Sequence, residues 1–294
     1  MGIFDSIFGK KGKPEEIKDQ KDLLEIVEII PGLQMPRAFA DHRSSIEKNK
    51  INTISIKAVP KEDLSLEQSK FGHYPYMPIG FDYPKDDEGK YMYPLAQINF
   101  KEMPGLTGYP ASGYLQFYIS VSDEVYGLDF DNPQSQKNFR VLYFEESEVQ
   151  HYKADFSFLD EVMESEMSPV HRLHTLNFVK KSEYIGMGDA WYEAHCGIDL
   201  ASVARQYPSI KDELENALYE NFQPNGHKIG GYAYFTQSDP RGYNKRFKDY
   251  ILLFQLDSDD HIMWGDVGVA NFFIHPDDLA KKDFTKVMYN WDCS

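Results

Sequence analysis

Cysteine is scarce in this sequence, because the 294 residues include only Cys196 and Cys293, which lie far apart. Two isolated thiols form neither a disulfide framework nor, by themselves, a zinc-binding set. Reduced cysteines are typical of cytosolic proteins, so we predict a cytoplasmic location. No pattern in the chain points to a cofactor, and we predict none.

Long apolar runs are absent as well. No stretch approaches the roughly 18 apolar residues of a membrane-spanning helix, and no apolar segment precedes a signal-peptide cleavage site. Within 1–13, however, Ile3, Phe4, Ile7 and Phe8 lie on one side of a helical turn that three lysines follow. This segment either contacts a membrane peripherally or packs on its own domain as a terminal helix.

Basic residues are few: 31 Lys and Arg stand against 47 Asp and Glu, which gives a net charge of −16. Nucleic-acid binding needs a basic face, so we predict no nucleic-acid partner. The acidity suits solubility or a basic protein partner. The run 145–166 concentrates this charge, and it is either a solvated surface or a contact for such a partner.

Aromatic residues, in contrast, are abundant. The chain has 20 Tyr and 20 Phe, which favour β-sheets, and its 41% hydrophobic content is that of a globular protein. The length suffices for one large domain or two ordinary ones with a real core.

Three blocks of sequence occur twice in the same order and at nearly the same spacing. The pairs are 72–76 with 230–234, 95–99 with 253–257, and 113–119 with 268–274. Such self-similarity indicates an internal duplication.

Alternation of apolar residues predicts strands over 51–59, 95–100, 114–119 and 139–145. Spacings of three and four predict helices over 14–30 and 210–222. We therefore predict an α+β fold, mainly antiparallel β, with two pseudo-repeated β lobes in one compact unit and a few peripheral helices. The predicted divisions are an N-terminal helical segment (1–45), a first lobe (46–146), an acidic and helical connector (147–222) and a second lobe (223–294), with 46–294 as one domain.

Two glutamines, Gln97 and Gln255, lie in the middle of otherwise apolar strands, and each is followed by a polar residue, Asn99 or Asp257. A buried amide needs hydrogen-bond partners. These four side chains either bond to neighbouring backbone and repeat partners, or face a shared groove and bind a ligand.

The densest polar cluster is the loop 257–266, which holds Asp257, Asp259, Asp260, His261 and Asp266. Carboxylates and an imidazole suit a hard cation, but the spacing is not that of an EF-hand, and Asp and Ser are typical of turns. We predict a hairpin loop without a metal. The alternative is an enzyme or a metal-dependent ligand binder that uses this loop.

Trp264 and Asp266 stand at the end of the same loop. A tryptophan at this corner either closes the end of a sheet as a buried ring or offers an exposed surface on which a ligand stacks. Asp266 is suited to capping neighbouring backbone. With Gln97, Asn99, Gln255 and Asp257, these two residues form the candidate ligand-binding set.

No catalytic residue emerges from the sequence. The pair His171 and His174 lacks further metal ligands, and adjacent His195 and Cys196 would point to opposite sides of a strand. Phosphate-binding glycine loops and nucleophile elbows are missing too. We therefore predict that the protein is not an enzyme.

Several motifs carry a family resemblance. They are FGHYPYMP at 71–78, PLAQIN at 94–99, GYLQFY at 113–118, HKIGGY at 227–232, TQSDP at 236–240, LFQLDS at 253–258 and WGD at 264–266. From about residue 67 to its end, the chain resembles the YwqG-like family, a bacterial domain of unknown function numbered 1963. The resemblance brings no established catalytic residues, and it implies a non-catalytic binding or interaction protein, related to the immunity partners of secreted toxins.

Overall fold

A computed structural model describes residues 20–294. The predictions made for 1–13 and for the beginning of the helix at 14–30 lie outside these residues. The described chain divides into two compact units, which are residues 20–44 with 198–221, and residues 45–197 with 222–294.

The smaller unit contains a β-hairpin and short helices. Its elements are α1 (Gln20–Leu23), β1 (Ile26–Ile30), β2 (Leu33–Pro36), a 3-10 helix (Arg37–His42), α5 (Leu200–Gln206) and α6 (Lys211–Asn221). The short helix α2 (Arg43–Lys48) crosses the boundary between the units in sequence. The helix predicted over 210–222 is confirmed as α6.

The helix predicted over 14–30 is wrong in its second half. Residues 26–30 form β1, which pairs with β2 through a turn at Gly32, whose φ is 84°. Three of the five residues in IVEII are isoleucine and one is valine, and β-branched side chains prefer strands.

The larger unit is built on one ten-stranded antiparallel sheet. Its strands are β3 (Ile51–Pro60), β4 (Lys70–Phe71), β5 (Tyr93–Asn99), β6 (Tyr114–Ile119), β7 (Phe139–Phe144), β8 (His174–Glu183), β9 (Lys228–Ile229), β10 (Ile251–Asp257), β11 (Val269–Ile274) and β12 (Met288–Asp292). Their order is β12-β11-β10-β9-β3-β8-β4-β5-β6-β7. The helices are α3 (Asp160–Met163), α4 (Tyr192–Cys196) and α7 (Pro276–Ala280), with 3-10 turns at Phe100–Glu102, Ser157–Leu159, Pro240–Tyr243 and Lys245–Phe247.

These elements confirm the predicted fold class and the predicted strands. The sequence did not predict the short strands β2, β4, β9 and β12, nor the long strand β8, whose residues fall in the predicted acidic and helical connector. β8 pairs with β3 along ten residues, but its second half is largely exposed, so it lacks the apolar alternation that marks a half-buried strand.

The duplication appears in the strand register. Ala96 pairs with Phe117, and Phe254 pairs with Phe272, which are the same positions shifted by 158 (254 − 96) and 155 (272 − 117). Both ladders also shift register at the same place, between residues 94 and 96 and between residues 252 and 254. β-bulges are retained among related structures, so two bulges at matched positions indicate two copies of one unit.

The copies form lobe 1 (β4–β7) and lobe 2 (β9–β12), which β8 and β3 join at the centre of the sheet. The lobes pack on each other through aromatic rings. The ring centroid of Phe117 lies 4.6 Å from that of Phe254 and 4.8 Å from that of Phe272. Phe117 and Phe272 are both fully buried, as their matched register predicts.

Candidate functional site

The two mid-strand glutamines bond to equivalent backbone groups in both lobes, and the Gln97 Oε1 atom also accepts from the Gln116 Nε2 group at 2.8 Å. The Gln97 Oε1 atom accepts from the Tyr76 amide at 2.7 Å, and the Gln255 Oε1 atom accepts from the Tyr234 amide at 2.8 Å. Each Nε2 group donates to two carbonyls, which belong to Leu66 and Gln68 in lobe 1 and to Pro224 and Gly226 in lobe 2. Each backbone partner in lobe 1 lies 158 positions before its counterpart in lobe 2, so the two amides hold equivalent loops. Both amides also have their hydrogen-bond partners within the protein.

Asn99 and Asp257 bond to nearby backbone as well. The Asn99 side chain accepts from the Lys101 amide and donates to the Glu67 carbonyl. Asp257 accepts from the amides of Gly226 and Ser258. Burial raises the pKa of Asp257, against the lowering effect of these bonds.

A buried lysine occupies the same position in each lobe, but its partners differ. The Lys70 Nζ group donates to the carbonyls of Ser65 and Leu66, and burial lowers its pKa to about 7 although Glu102 raises it. The Lys228 Nζ group instead meets the Glu183 carboxylate at 3.0 Å. Both lysines support neighbouring segments, because a buried ammonium needs such acceptors.

The acidic loop 257–266 is the connection between β10 and β11, as predicted. The Asp259 carboxylate accepts from the His227 Nε2 atom at 3.1 Å and from the backbone amides of His261 and Ile262. Partial burial raises the pKa of Asp259, but the His227 bond and the His261 amide outweigh it and bring the pKa to about 2. Within residues 20–294, no group of three or more His, Cys, Asp or Glu side chains is placed to hold a metal ion.

Trp264 is fully buried, which agrees with the packing interpretation. Its ring meets Tyr126 edge-on at 5.3 Å and lies 6.2 Å from Trp291. Its indole nitrogen has no hydrogen-bond partner among the described residues. The ring is therefore not an exposed platform for a ligand. Asp266 is exposed and offers its backbone carbonyl to the Ser294 amide.

The sequence did not indicate a histidine cluster that the fold assembles from three segments. His174, on β8, lies 6.0 Å from the His261 ring, and the Phe71 ring lies 5.4 Å from His227. His174 is almost fully buried, and neither of its ring nitrogens has a partner among the described residues. The spacing of three residues from His171 fits a helical pair, but neither residue lies on a helix, because His171 is in an irregular segment and β8 begins at His174.

Lobe 2 also buries a complete ion cluster. The Arg241 guanidinium meets the carboxylates of Asp189 at 2.8 Å and Asp239 at 2.7 Å, and it donates to the Tyr250 carbonyl. The Trp191 ring lies 5.1 Å from this guanidinium. The cluster contributes to the lining of a pocket of about 310 Å³. Because the cation already has two anions, its charge is balanced within the protein.

The corresponding region of lobe 1 is aromatic. Tyr83 occupies the position that matches Arg241 (241 − 83 = 158), and its hydroxyl donates to the Met92 carbonyl, as Arg241 does to the matching Tyr250 carbonyl. Phe158 packs edge-on against Tyr83 at 5.5 Å and lies 4.8 Å from Tyr91.

Two pockets share the pair formed by Tyr91 and Phe158 in their linings, and we call this pair with its two pockets the lobe 1 face. The acid-side pocket has about 330 Å³ and is lined by Val121, Val162, Glu161 and Lys90 in addition to the two rings. The lysine-side pocket has about 630 Å³ and is lined by Phe81, Asp82, Tyr83, Lys85 and Lys153 together with the same rings.

The surroundings of the lobe 1 face combine apolar and charged side chains. Ile79 is 69% exposed, and Tyr152 is 42% exposed, next to the bridge that joins Pro78 to Tyr152. Glu164 and Glu166 follow Glu161 on the exposed surface of the run 145–166. The sequence indicated this acidic run, but it gave no sign of the pockets, because their walls come from segments far apart in the chain.

Together these features define a two-lobed antiparallel β protein with a recessed aromatic surface on lobe 1. The chain belongs to the family described as a domain of unknown function, DUF1963, whose model matches residues 69–293. Comparison with curated proteins finds no match. Among residues 20–294, none of the helices has the length and apolar character needed to cross a membrane.

Proposed function

We propose that this protein is a non-catalytic binding protein that recognises a basic protein through the lobe 1 face. The observation that carries the proposal is an aromatic pocket lined in part by Glu161, whose carboxylate the protein leaves unpaired, with the exposed Glu164 and Glu166 next to it in the chain. Glu161, Glu164 and Glu166 form no ion pair or hydrogen bond through their carboxylates within the described chain. Glu145 and Glu146, in contrast, pair with Lys282 and Lys101.

Aromatic side chains and pockets supply most of the binding energy at protein interfaces, while charges at the rim govern the association rate and the choice of partner. The lobe 1 face offers both, since Tyr91 and Phe158 provide the rings and Glu161, which begins a short run of exposed glutamates, provides an unpaired negative charge at the pocket. A net charge of −16 strengthens attraction to a basic protein and opposes nucleic acid.

The motifs shared with the YwqG-like family support a bacterial source and a partner of the toxin type. The two cysteines are unpaired, which supports a location in the reducing cytoplasm. In this proposal, Gln97 and Gln255 hold the loops of the scaffold. The alternative, an enzyme or metal-dependent binder that uses the 257–266 loop, has less support because Asp257 and Asp259 already accept hydrogen bonds from protein donors.

The test is a pull-down from lysate of the producing cells with three forms of the protein as bait. The test bait carries Glu161→Lys, Glu164→Lys and Glu166→Lys, which reverse the rim charge. We expect the wild type to retain a basic protein, intact and in stoichiometric amount by mass spectrometry. The test bait should retain less than about a tenth of it, because the favourable charge pairs become repulsive.

The control bait carries Glu124→Lys, Asp131→Lys and Asp260→Lys, three exposed carboxylates outside the lobe 1 face. It has the same net charge as the test bait, so it should retain the basic protein nearly as well as the wild type does. Equal loss from both variants would mean that the net charge alone attracts the partner. Equal retention by the test bait and the wild type would overturn the proposed site.

A further inference from the structure

We propose that the lysine-side pocket of lobe 1 binds a small aromatic anion, a phosphate or carboxylate group attached to a flat ring. This inference concerns the pocket that shares Tyr91 and Phe158 with the acid-side pocket but is not lined by Glu161. It goes beyond the recognition of a basic protein, and a protein that binds no such partner would still be expected to bind this ligand.

The lysines of the pocket form no ion pair among the described residues, although Lys153 is close enough to Asp155 to help lower the pKa of that carboxyl. The Lys85 Nζ atom lies 4.5 Å from the centre of the Tyr91 ring, and the Lys153 Nζ atom lies 5.5 Å from the centre of the Phe158 ring. Neither ammonium has a carboxylate within 4 Å in the described part of the chain, although Asp82 also lines the pocket. An exposed cation–π contact is weak, so both ammonium groups remain available to an anion.

Lobe 2 serves as an internal comparison. At the matching place the duplicated fold carries Arg241, whose charge is met by Asp189 and Asp239 from within the chain. In lobe 1 the neutral Tyr83 takes the place of the arginine, and the positive charge comes from Lys85 and Lys153. The carboxylate that lines the pocket, Asp82, lies more than 4 Å from both ammonium groups. In lobe 2 the protein itself supplies the anions that pair with the cation. In our proposal, the corresponding pocket of lobe 1 binds the anion of a ligand instead.

The residues that line the pocket indicate the kind of group to which the anion is attached. Phe81, Tyr91 and Phe158 line the pocket together with Tyr83, so aromatic rings form part of its wall beside the charged side chains. Flat rings pack on such walls by stacking or edge-on contact, while a phosphate or carboxylate reaches the lysines. A volume of about 630 Å³ is within the usual range for small-molecule sites.

Isothermal titration calorimetry with phenyl phosphate tests the proposal on the full chain. The ring and the anion are also titrated separately, as phenol and as inorganic phosphate. We expect phenyl phosphate to bind at least about tenfold more tightly than either part, because each part makes only one of the two kinds of contact.

Matched variants then locate the site. The pair Lys85→Met and Lys153→Met keeps the aliphatic stems and should weaken phenyl phosphate binding at least about tenfold, since charge-assisted hydrogen bonds are lost. The pair Lys85→Arg and Lys153→Arg restores the charge and should retain most of the affinity. The control pair, Lys245→Met and Lys248→Met, removes two exposed lysines from lobe 2 and should leave binding unchanged within about twofold.

Three results would overturn the proposal. The first is that the wild type binds no phenyl phosphate at a ligand concentration of about 5 mM, which is high enough to detect dissociation constants in the low millimolar range. The second is equal binding by the wild type and the double methionine variant. The third is equal affinity for phenyl phosphate and inorganic phosphate, which would remove the aromatic part of the assignment.

Discussion

His174 is a residue whose burial disfavours its protonated form. Its ring is almost fully buried, and neither nitrogen has a hydrogen-bond partner among the described residues. Burial lowers its pKa below 6.5, Asp259 opposes that effect, and the nearby His227 and His261 add to it. The folded protein therefore holds this imidazole in its neutral form.

This has a definite consequence for the pH dependence of stability. As the pH falls below about 6.5, the unfolded chain takes up a proton at residue 174 that the folded protein excludes. The contribution of His174 to the free energy of unfolding is therefore complete above pH 6.5 and is lost as the pH falls towards the folded pKa, at no more than about 1.4 kcal/mol per pH unit.

We predict that His174→Leu reduces the acid sensitivity of the protein. Urea denaturation between pH 7.5 and 5 should show a smaller loss in the free energy of unfolding for this variant than for the wild type. The exposed His151 provides a control, because His151→Leu should follow the wild-type profile. Parallel pH profiles for the wild type and His174→Leu would show that His174 does not exclude the proton.

At the scale of elements, the repeated glutamine clamp explains why a polar side chain persists in the middle of a buried strand. Each clamp connects its strand to two loop segments through three hydrogen bonds. An apolar substitute would leave one backbone amide and two carbonyls without partners, and each unsatisfied buried group costs about 1–3 kcal/mol.

We predict that Gln97→Met and Gln255→Met each lower the free energy of unfolding by about 3 kcal/mol, with a similar loss in both lobes. Urea denaturation at neutral pH provides the measurement. Gln150→Met, at an exposed position, should change the value by less than about 0.5 kcal/mol. A clamp variant as stable as this control would mean that the amides are not essential to the loops.

The strands also show which parts of the fold could be predicted from the sequence and which could not. Strands β5, β6, β10 and β11 were predictable because they are buried and recur with the same pattern in both copies. β8 was not, since most of its second half faces solvent and only its pairing with β3 defines it. β1 was assigned to a helix because a short apolar run fits both periodicities, and the turn at Gly32 decides between them.

At the scale of the whole molecule, the duplication was readable from the sequence, but the lobe 1 face was not. The face forms where Phe158, from the segment after β7, meets Tyr91, from the segment before β5. No local pattern records that contact between segments distant in sequence. The sequence did show the charge of the run 145–166, which is the part of the candidate site that a local pattern can carry.

The two lobes now differ in what they offer to other molecules. Lobe 2 buries its cation with two carboxylates, whereas the pockets beside the aromatic pair of lobe 1 are lined by Lys85, Lys153 and Glu161, none of which forms an ion pair among the described residues. Our central claim is therefore that partners bind on lobe 1 and not at the corresponding place on lobe 2.

Site-specific photo-crosslinking in the producing cells tests this claim most directly. A photoreactive phenylalanine analogue replaces Ile79 beside the lobe 1 face or Tyr243 in lobe 2, which are 69% and 80% exposed. Position 243 matches Lys85 in the duplication (243 − 85 = 158). We predict an adduct with a basic protein from position 79, its loss when Glu161, Glu164 and Glu166 are changed to lysine, and no such adduct from position 243. An adduct from position 243 with none from position 79 would contradict the claim.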